Sequence, residues 1–137
     1  MPTYVAPRDD YHFLLFDLFE AEDLWSRAEG TGHVDRPLAS AVIDEGGKLA
    51  ETLFLPLNQS GDAEGCRLED GQVRTPQGFP EAFRTFAEGG WLGLGGDPEY
   101  GGQGMPKMLT VAVEEMLFAA NSSLYLYPAL TSGACLL

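Results

Sequence analysis

The chain has 137 residues, of which 45% are hydrophobic, 11% aromatic and 21% charged, a composition that fits one globular domain and excludes an intrinsically disordered protein. The formal net charge of -13 comes from 21 acidic against 8 basic residues. Nucleic-acid binding needs clustered Lys and Arg, and here the basic residues are scattered, so we expect no nucleic-acid partner. The acidity indicates either plain solubility or an electrostatic docking face for a basic partner.

The two cysteines, Cys66 and Cys135, lie far apart and have neither Cys-x-x-Cys nor histidine-partnered spacing. Neither a disulfide framework nor a zinc site is therefore indicated. The N-terminus lacks a basic region followed by an apolar run, which argues against a secretory signal. Together these features predict a cytoplasmic protein.

Residues 116–137 form a stretch without a charged side chain that is long enough to span a bilayer. Its polar residues and its lack of basic anchors nevertheless predict no membrane insertion. The sequence stops inside this apolar stretch, so we expect a fragment whose continuation, or a partner chain, covers this end. Five leucines would otherwise be exposed together, which predicts a homo-oligomer formed through the C-terminal helix. These leucines are Leu124, Leu126, Leu130, Leu136 and Leu137.

The first predicted elements are two helices. The pair Asp9-Asp10 is a start signal for a short apolar helix in which Phe13 and Phe16 have helical spacing. The motif Asp-Arg-Pro at residues 35–37 opens a second helix with proline in its first turn. Glycines 46 and 47 each weaken that helix by about 1 kcal/mol relative to alanine, so a packing reason or a break is expected there. The apolar stripe of the second helix consists of Leu38, Val42, Leu49, Leu53 and Phe54.

The middle of the chain is predicted to be less regular. Residues 56–76 are rich in Asn, Gly, Asp and Gln, which predicts a long connection, and residues 57–76 are expected to be mobile. A short amphipathic helix then covers residues 80–87 and is closed by the glycines at 89 and 90. Residues 93–104 are predicted to form a loop.

Helical spacing returns after this loop, and an Asn-Ser-Ser sequence from Asn121 to Ser123 can end one helix and cap the next. The last helix is predicted to begin near Leu124, with Pro128 bending it or lying within its first turns. No strand alternation of convincing length is present. The predicted fold class is therefore all-α, an antiparallel helical bundle with long Gly-rich connections.

Most candidate motifs for chemistry fail on spacing. The glycines between residues 93 and 107 match neither a dinucleotide fingerprint nor a nucleotide P-loop. We interpret Gly101, Gly102 and Gly104 instead as turn residues that need positive φ. Adjacent helical positions point about 100° apart, so Glu114 and Glu115 cannot share an acid-base site and are interpreted as structural ion-pairing residues.

Metal sites are not indicated either. The acidic residues between positions 62 and 70 lack the register and the distal glutamate of a calcium loop. His12 and His33 stand alone, so each is interpreted as a surface or capping residue. No catalytic, cofactor-binding or metal-ligating residue is therefore proposed from these patterns.

One loop carries a family resemblance. Residues 97–106, Asp-Pro-Glu-Tyr-Gly-Gly-Gln-Gly-Met-Pro, lie between an apolar Trp-Leu-Gly-Leu sequence and a predicted helix. This arrangement resembles the N-terminal domain loop of FAD-dependent acyl-CoA dehydrogenases. Four further segments, residues 57–66, 75–79, 88–91 and 114–121, resemble the subgroup that includes the 3-methylmercaptopropionyl-CoA dehydrogenases.

The resemblance implies a three-domain enzyme in which a glutamate removes the α-proton of an acyl-CoA while the β-hydride passes to FAD. In that family the base and most FAD contacts follow the N-terminal domain. The resemblance therefore implies FAD and acyl-CoA as cofactor and substrate of the full-length enzyme, with no cofactor bound by this chain alone. Residues 1–137 would form a single α-helical domain, in which residues 1–34 are a leader with a short helix and residues 35–137 are the N-terminal domain proper.

The resemblance also implies a substrate-pocket wall on the last helix. Tyr125, Pro128, Ala129 and Ser132 fall on one helical face and match the family helix that lines the acyl cavity. The alternative is that this face is simply core. At the level of the whole chain, the competing hypothesis is a stand-alone acidic helical module that dimerises or binds a partner.

Overall fold

The structure is a computed structural model that describes residues 3–134, and its architecture is helical, as predicted. This described part contains seven α-helices and one two-stranded hairpin, which lies between the fourth and fifth helices. The α-helices and strands are α1 Arg8–His12, α2 Ala21–Arg27, α3 Arg36–Leu49, α4 Asn58–Glu64, β1 Arg67–Glu69, β2 Gln72–Arg74, α5 Phe79–Glu88, α6 Lys107–Ala120 and α7 Ser122–Ala134. Helix α1 continues as π-helical turns over Phe13–Leu18, and α3 continues as π-helical turns over Ala50–Phe54.

The N-terminal segment contains one helix more than the sequence predicts. Asp9 and Asp10 lie in the first turn of α1, as expected from their charge. The residue before α2, Glu20, is left-handed with φ 47°, and this abrupt turn separates two short helices. Ala21 and Trp25 of α2 are buried one turn apart, but such a short pattern is too weak to predict a helix from sequence.

Helix α3 begins where the sequence predicts, but the apolar stripe predicted for it is wrong. Of the five stripe residues only Phe54 is buried, and Leu38 is exposed. Ile43 and the small residues of the helix face the core instead, so its buried residues are Ala39, Ile43, Gly46 and Gly47.

The side chain of Asp35 accepts a hydrogen bond from the backbone N–H of Leu38 at 2.9 Å, which caps the helix. The two glycines do not break it. A Cβ at Gly46 would lie 3.0 Å from a methyl of Val113, and one at Gly47 would meet the side chain of Arg8. The glycines therefore have a packing reason, because they let α6 and the N-terminal segment approach α3.

The prediction of a long irregular connection over residues 56–76 is wrong. This stretch contains α4 and an antiparallel hairpin in which Leu68 pairs with Val73. Asp70 and Gly71 at the hairpin tip have φ of 50° and 76°, which matches the two-residue turn favoured by an Asp-Gly sequence. The strands were missed because each has three residues and all six are exposed, so no apolar alternation marks them.

One hydrophobic core contains residues from both predicted parts of the chain, the leader (residues 1–34) and the domain proper (residues 35–137). A single buried cluster extends from Ala6 to Tyr125, so residues before position 35 pack into the same core as those after it. Its centre lies between α3 and α6, where Ile43 and Leu109 are fully buried. Each such side chain contributes roughly 1.5–3 kcal/mol relative to leaving it exposed.

The C-terminal helix departs from prediction in one respect. It begins at Ser122, and Pro128 lies in its second turn, as expected. Leu124, however, is 1% exposed, so its assignment to an exposed leucine patch is wrong. The side chain points into the core because Asn121 turns the chain sharply between α6 and α7. Leu126 and Leu130 are exposed, whereas Leu136, Leu137 and Cys135 lie outside the described residues.

Candidate functional site

An open cleft of about 630 Å³ lies between α6, α7 and the loop that precedes α6. This loop, residues 91–105, is here called the glycine loop. Short 3-10 turns at Trp91–Gly93 and Pro98–Tyr100 give it part of its shape. The cleft is concave and largely apolar, as ligand sites usually are, and it is the candidate functional site.

Hydrogen bonds tie the two halves of the glycine loop together. The backbone N–H groups of Gln103, Gly104 and Met105 donate to the carbonyls of Gly93, Gly96 and Leu94 at 2.8, 2.9 and 3.0 Å. Further N–H groups, those of Gly101 and Gly102, donate to the carbonyls of Pro98 and Asp97. Five consecutive amides are therefore used inside the loop, so they do not form a phosphate cradle, in agreement with the sequence analysis.

Two of the three predicted turn glycines behave as expected. Gly101 and Gly104 have φ of 85° and 63°. The assignment of Gly102 to positive φ is wrong, since it is absent from the left-handed residues of the loop. Its requirement for glycine has a different cause, because a Cβ there would collide with the backbone of Gly96. The close approach of these two glycines holds the loop closed.

Helix α7 brings the four predicted wall residues to the side of the cleft. Tyr125, Pro128 and Ser132 line it directly. Ala129 lies in an adjoining hollow of about 170 Å³, together with Tyr125 and Ser132. Tyr125 and Pro128 are buried, while Ala129 and Ser132 are partly exposed. Whether these residues contact substrate stays a prediction.

Aromatic and aliphatic side chains from other elements complete the apolar lining. The rings of Trp91 and Phe86 stack with centroids 6.5 Å apart and an interplanar angle of 23°. Leu94 and Met105 from the glycine loop and Leu117 from α6 also line the cleft. Sequence reasoning did not assign these residues to a site, although the apolar Trp-Leu-Gly-Leu run next to the glycine loop is a usable signal.

Charged side chains lie at one end of the cleft. The ammonium of Lys107 is 3.4 Å from both carboxylate oxygens of Glu114, which confirms an ion-pairing role for this glutamate. Burial raises the pKa of the Tyr125 phenol well above its ordinary value, and the charge of Glu114 raises it further. The neighbouring Glu115 does not line the cleft. Its carboxylate acts on Tyr11 near the N-terminus, where burial, and then this carboxylate, raise the pKa of the phenol.

The other candidate residues do not assemble into a site. His12 contacts Asp44 at 3.3 Å, and His33 is exposed. Cys66 is exposed, with its Sγ 3.5 Å from the hydroxyl of Tyr127. Within residues 3–134, no three His, Cys, Asp or Glu side chains are arranged to hold a metal ion. No helix in that range has the length and apolarity needed to cross a membrane.

The fold and the cleft define an all-α domain that presents an apolar wall beside a tightly bonded glycine loop. A sequence model of the family described as acyl-CoA dehydrogenase, N-terminal domain, matches residues 66–137. The chain belongs to this family, which confirms the resemblance found in the glycine loop. The matched region contains the hairpin, α5, α6, the glycine loop and the described part of α7.

Curated relatives extend the similarity to the segment before residue 66. The chain is 35% identical over 135 residues to a 3-methylmercaptopropionyl-CoA dehydrogenase of Ruegeria pomeroyi, a match that covers 96% of this chain and 22% of the relative. It is 30% identical over 98 residues to a butyryl-CoA dehydrogenase of Syntrophomonas wolfei, covering 69% of this chain and 16% of the relative. A broad-specificity linear acyl-CoA dehydrogenase of Mycobacterium tuberculosis is 29% identical over 118 residues, 82% of this chain and 19% of the relative. The chain thus spans about a fifth of the length of these relatives.

Proposed function

We propose that this chain serves as the N-terminal α-domain of an FAD-dependent acyl-CoA dehydrogenase, an enzyme that introduces an α,β double bond into an acyl-CoA thioester. Residues 1–34 would act as a leader packed on the domain formed by residues 35–137. When bound in the complete enzyme, FAD would supply the hydride acceptor. The domain itself would wall one side of the acyl and flavin site and exclude water from it.

The apolar lining of the cleft is the observation that carries this proposal. Trp91, Leu94, Met105 and Tyr125 offer a hydrocarbon chain an apolar surface, and each methylene that leaves water is worth about 0.8 kcal/mol. The predicted wall residue Ser132 lies at the rim of the same cleft. An acyl tail is the part of the substrate that fits such a surface.

The cleft residues described here do not fit the role of holding the dinucleotide. The pyrophosphate of FAD needs free cations or free backbone amides. The ammonium of Lys107 is already paired with Glu114, and the amides of residues 101–105 donate inside the glycine loop. We therefore propose that other parts of the enzyme hold FAD and that this chain alone binds no cofactor.

The proposed location of the protein is the cytoplasm.

The test compares the 137-residue chain with the full product of the reading frame that encodes it. The chain alone is expected to be colourless and inactive, whereas the full product is expected to be yellow and to oxidise acyl-CoA with a dye as electron acceptor. Stoichiometric FAD bound to the chain alone would contradict the assignment of the cofactor to other domains. A full product without flavin and without activity on any acyl-CoA would refute the proposed function.

A pair of variants in the full product tests the cleft itself. Ser132→Phe places a ring at the rim of the cleft and is expected to raise the KM for acyl-CoA at least tenfold while leaving the flavin content unchanged. Leu130→Phe is the matched control, because Leu130 is 73% exposed and is absent from the lining of the cleft. Equal KM values for the two variants would remove the cleft from the substrate site.

A second candidate function, a self-associating helical module, is favoured by one observation. Phe118, Leu126 and Leu130 are 47%, 47% and 73% exposed on α6 and α7. Apolar side chains left open on neighbouring helices often mark an interface. We propose a second copy of the chain as the partner at this surface, and the two functions can coexist in one enzyme.

A further inference from the structure

The cleft and its adjoining hollow share a boundary made of four side chains. Lys107, Glu114, Tyr125 and Ser132 line both the space of about 630 Å³ and the space of about 170 Å³. The smaller hollow is completed by Ala129 and Gly133, which contribute little bulk. A chain that entered the cleft and continued along α7 would therefore reach the hollow only by passing the shared side chains.

The boundary carries an ion pair, and the other charged residue of the cleft lining, Asp97, lies in the glycine loop rather than on the α6–α7 side. Lys107 approaches both carboxylate oxygens of Glu114 at 3.4 Å, and these side chains are 63% and 33% exposed, so they are still hydrated. A methylene that displaced this hydration would strip water from two charges without replacing its hydrogen bonds. The apolar path along α6 and α7 therefore ends at the ion pair, although additional space lies beyond it.

We propose that the Lys107–Glu114 ion pair sets the longest acyl chain that the enzyme accepts. The inference rests on the proposed function and adds a specificity-determining residue pair to it. The pair acts as a polar stop, since methylenes gain from burial up to the pair and lose hydration energy beyond it. Removing the stop joins the two spaces and lets longer chains continue into the hollow beside Ala129 and Gly133.

The experiment measures kcat/KM of the full-length holoenzyme for butyryl-, hexanoyl-, octanoyl- and decanoyl-CoA. Glu114→Ala removes the carboxylate and opens the boundary. We expect the chain length of best kcat/KM to increase, with a gain of roughly fourfold for each additional methylene that enters the hollow, the equivalent of about 0.8 kcal/mol. Because the cleft is unchanged up to the boundary, kcat/KM for the shortest substrate is expected to change less than twofold.

Four further variants separate the polar stop from a structural effect. Glu114→Gln keeps a polar side chain of similar size and is expected to retain the wild-type chain-length profile. Lys107→Ala leaves the hydrated Glu114 carboxylate at the boundary and is expected to retain the profile, whereas the double variant Lys107→Ala/Glu114→Ala removes both charges and is expected to shift it at least as far as Glu114→Ala does. Glu45→Ala is the matched control, because Glu45 forms an exposed pair with Lys48 at the same 3.4 Å distance on α3, outside the cleft.

The outcomes distinguish this inference from the proposed function. A wild-type enzyme without flavin or acyl-CoA oxidation refutes both. An active wild type whose chain-length profile is unchanged in Glu114→Ala and in the double variant Lys107→Ala/Glu114→Ala overturns the inference and leaves the function standing. A shift of equal size in Glu114→Gln or Glu45→Ala also overturns it, since the effect would then not depend on the polar boundary.

Discussion

The side-chain amide of Asn121 donates a hydrogen bond to the backbone carbonyl of Phe54 at 3.1 Å, across 67 positions of sequence. Asn121 is completely buried, and its carbonyl oxygen accepts from the backbone N–H of Leu124 at 3.0 Å. Asn121 therefore lies at the end of α6, caps α7 and binds the last residue of the π-helical turns that continue α3. Because the wall residues Tyr125 and Pro128 follow on α7, the orientation of the cleft wall depends on this contact.

Replacing Asn121 by alanine is expected to be among the more damaging substitutions in the chain. The change leaves the Phe54 carbonyl buried without a donor and removes the cap of α7, at a cost of roughly 2–4 kcal/mol in the free energy of unfolding. Urea denaturation measures this cost. Ser123→Ala, which removes one partly buried hydrogen bond donated to Asn121 but leaves the Phe54 carbonyl and the α7 cap satisfied, is the control and is expected to cost less than about 1 kcal/mol. Equal effects for the two variants would contradict the role assigned to Asn121.

Sequence reasoning succeeded where a residue acts on its local backbone. The caps Asp35 and Asn121 act within three residues of their own position, and such short-range hydrogen bonds leave a readable pattern. The second hydrogen bond of Asn121, to Phe54, depends on tertiary packing and left no pattern. The hairpin around Asp70 was not predicted for a different reason. Its strands are short and exposed, so they carry no apolar alternation, and the only local sign of the hairpin is its Asp-Gly turn.

The site was predictable in part for the same reason. Helical periodicity grouped Tyr125, Pro128, Ala129 and Ser132 on one face, and the family resemblance made that face a candidate pocket wall. Three of the four line the cleft and Ala129 lines the adjoining hollow, while contact with substrate stays a prediction. Trp91 reaches the cleft from the glycine loop and stacks on Phe86 of α5. Lys107 and Glu114 pair across two turns of α6. No local spacing rule connects them to α7, so only the packed structure could bring them into one site.

Substitution of Gly102 by alanine tests the close approach inside the glycine loop. The added Cβ would collide with the backbone of Gly96, so the hydrogen bonds between the loop halves must lengthen or break. We expect this to lower the free energy of unfolding by about 2–3 kcal/mol. Gly101→Ala is the control. Gly101 has φ 85° but open space around its Cβ position, so only the left-handed backbone is penalised, by roughly 1 kcal/mol. Urea denaturation that ranks Gly101→Ala as the worse variant would contradict this account.

Stability at alkaline pH is expected to depend on Tyr125. Burial and the charge of Glu114 raise the pKa of its phenol above the value of about 10 that applies in the unfolded chain. The unfolded state therefore loses its proton first, so the contribution is complete below about pH 10 and is lost as the pH rises further. Denaturation at several alkaline pH values should show a weaker decline for Tyr125→Phe than for wild type. Tyr100→Phe, at a position 84% exposed, is the control and should follow wild type.

The mobility predicted for residues 57–76 remains untested. Within this segment, the structure makes the hairpin the part expected to be most mobile. All six strand residues are exposed, and the strands pair with each other alone. Backbone amides there are expected to exchange with solvent orders of magnitude faster than those of the buried α6 residues Leu109, Val113 and Met116. Hydrogen exchange read out by mass spectrometry measures both regions in one sample. Protection of the hairpin equal to that of α6 would show that another surface covers it.

Self-association through the C-terminal helix is expected at high protein concentration. Burying Leu126 and Leu130 against a second copy is worth roughly 1.5–3 kcal/mol for each leucine in each copy, and this gain competes with an association cost of several kcal/mol. Replacing both by glutamate should convert the chain to monomer in sedimentation velocity runs. The control introduces glutamate in place of Leu68 and Val73, which are 75% and 68% exposed on the hairpin, and should leave association unchanged. A wild-type chain that sediments as a compact monomer at high concentration would refute the prediction.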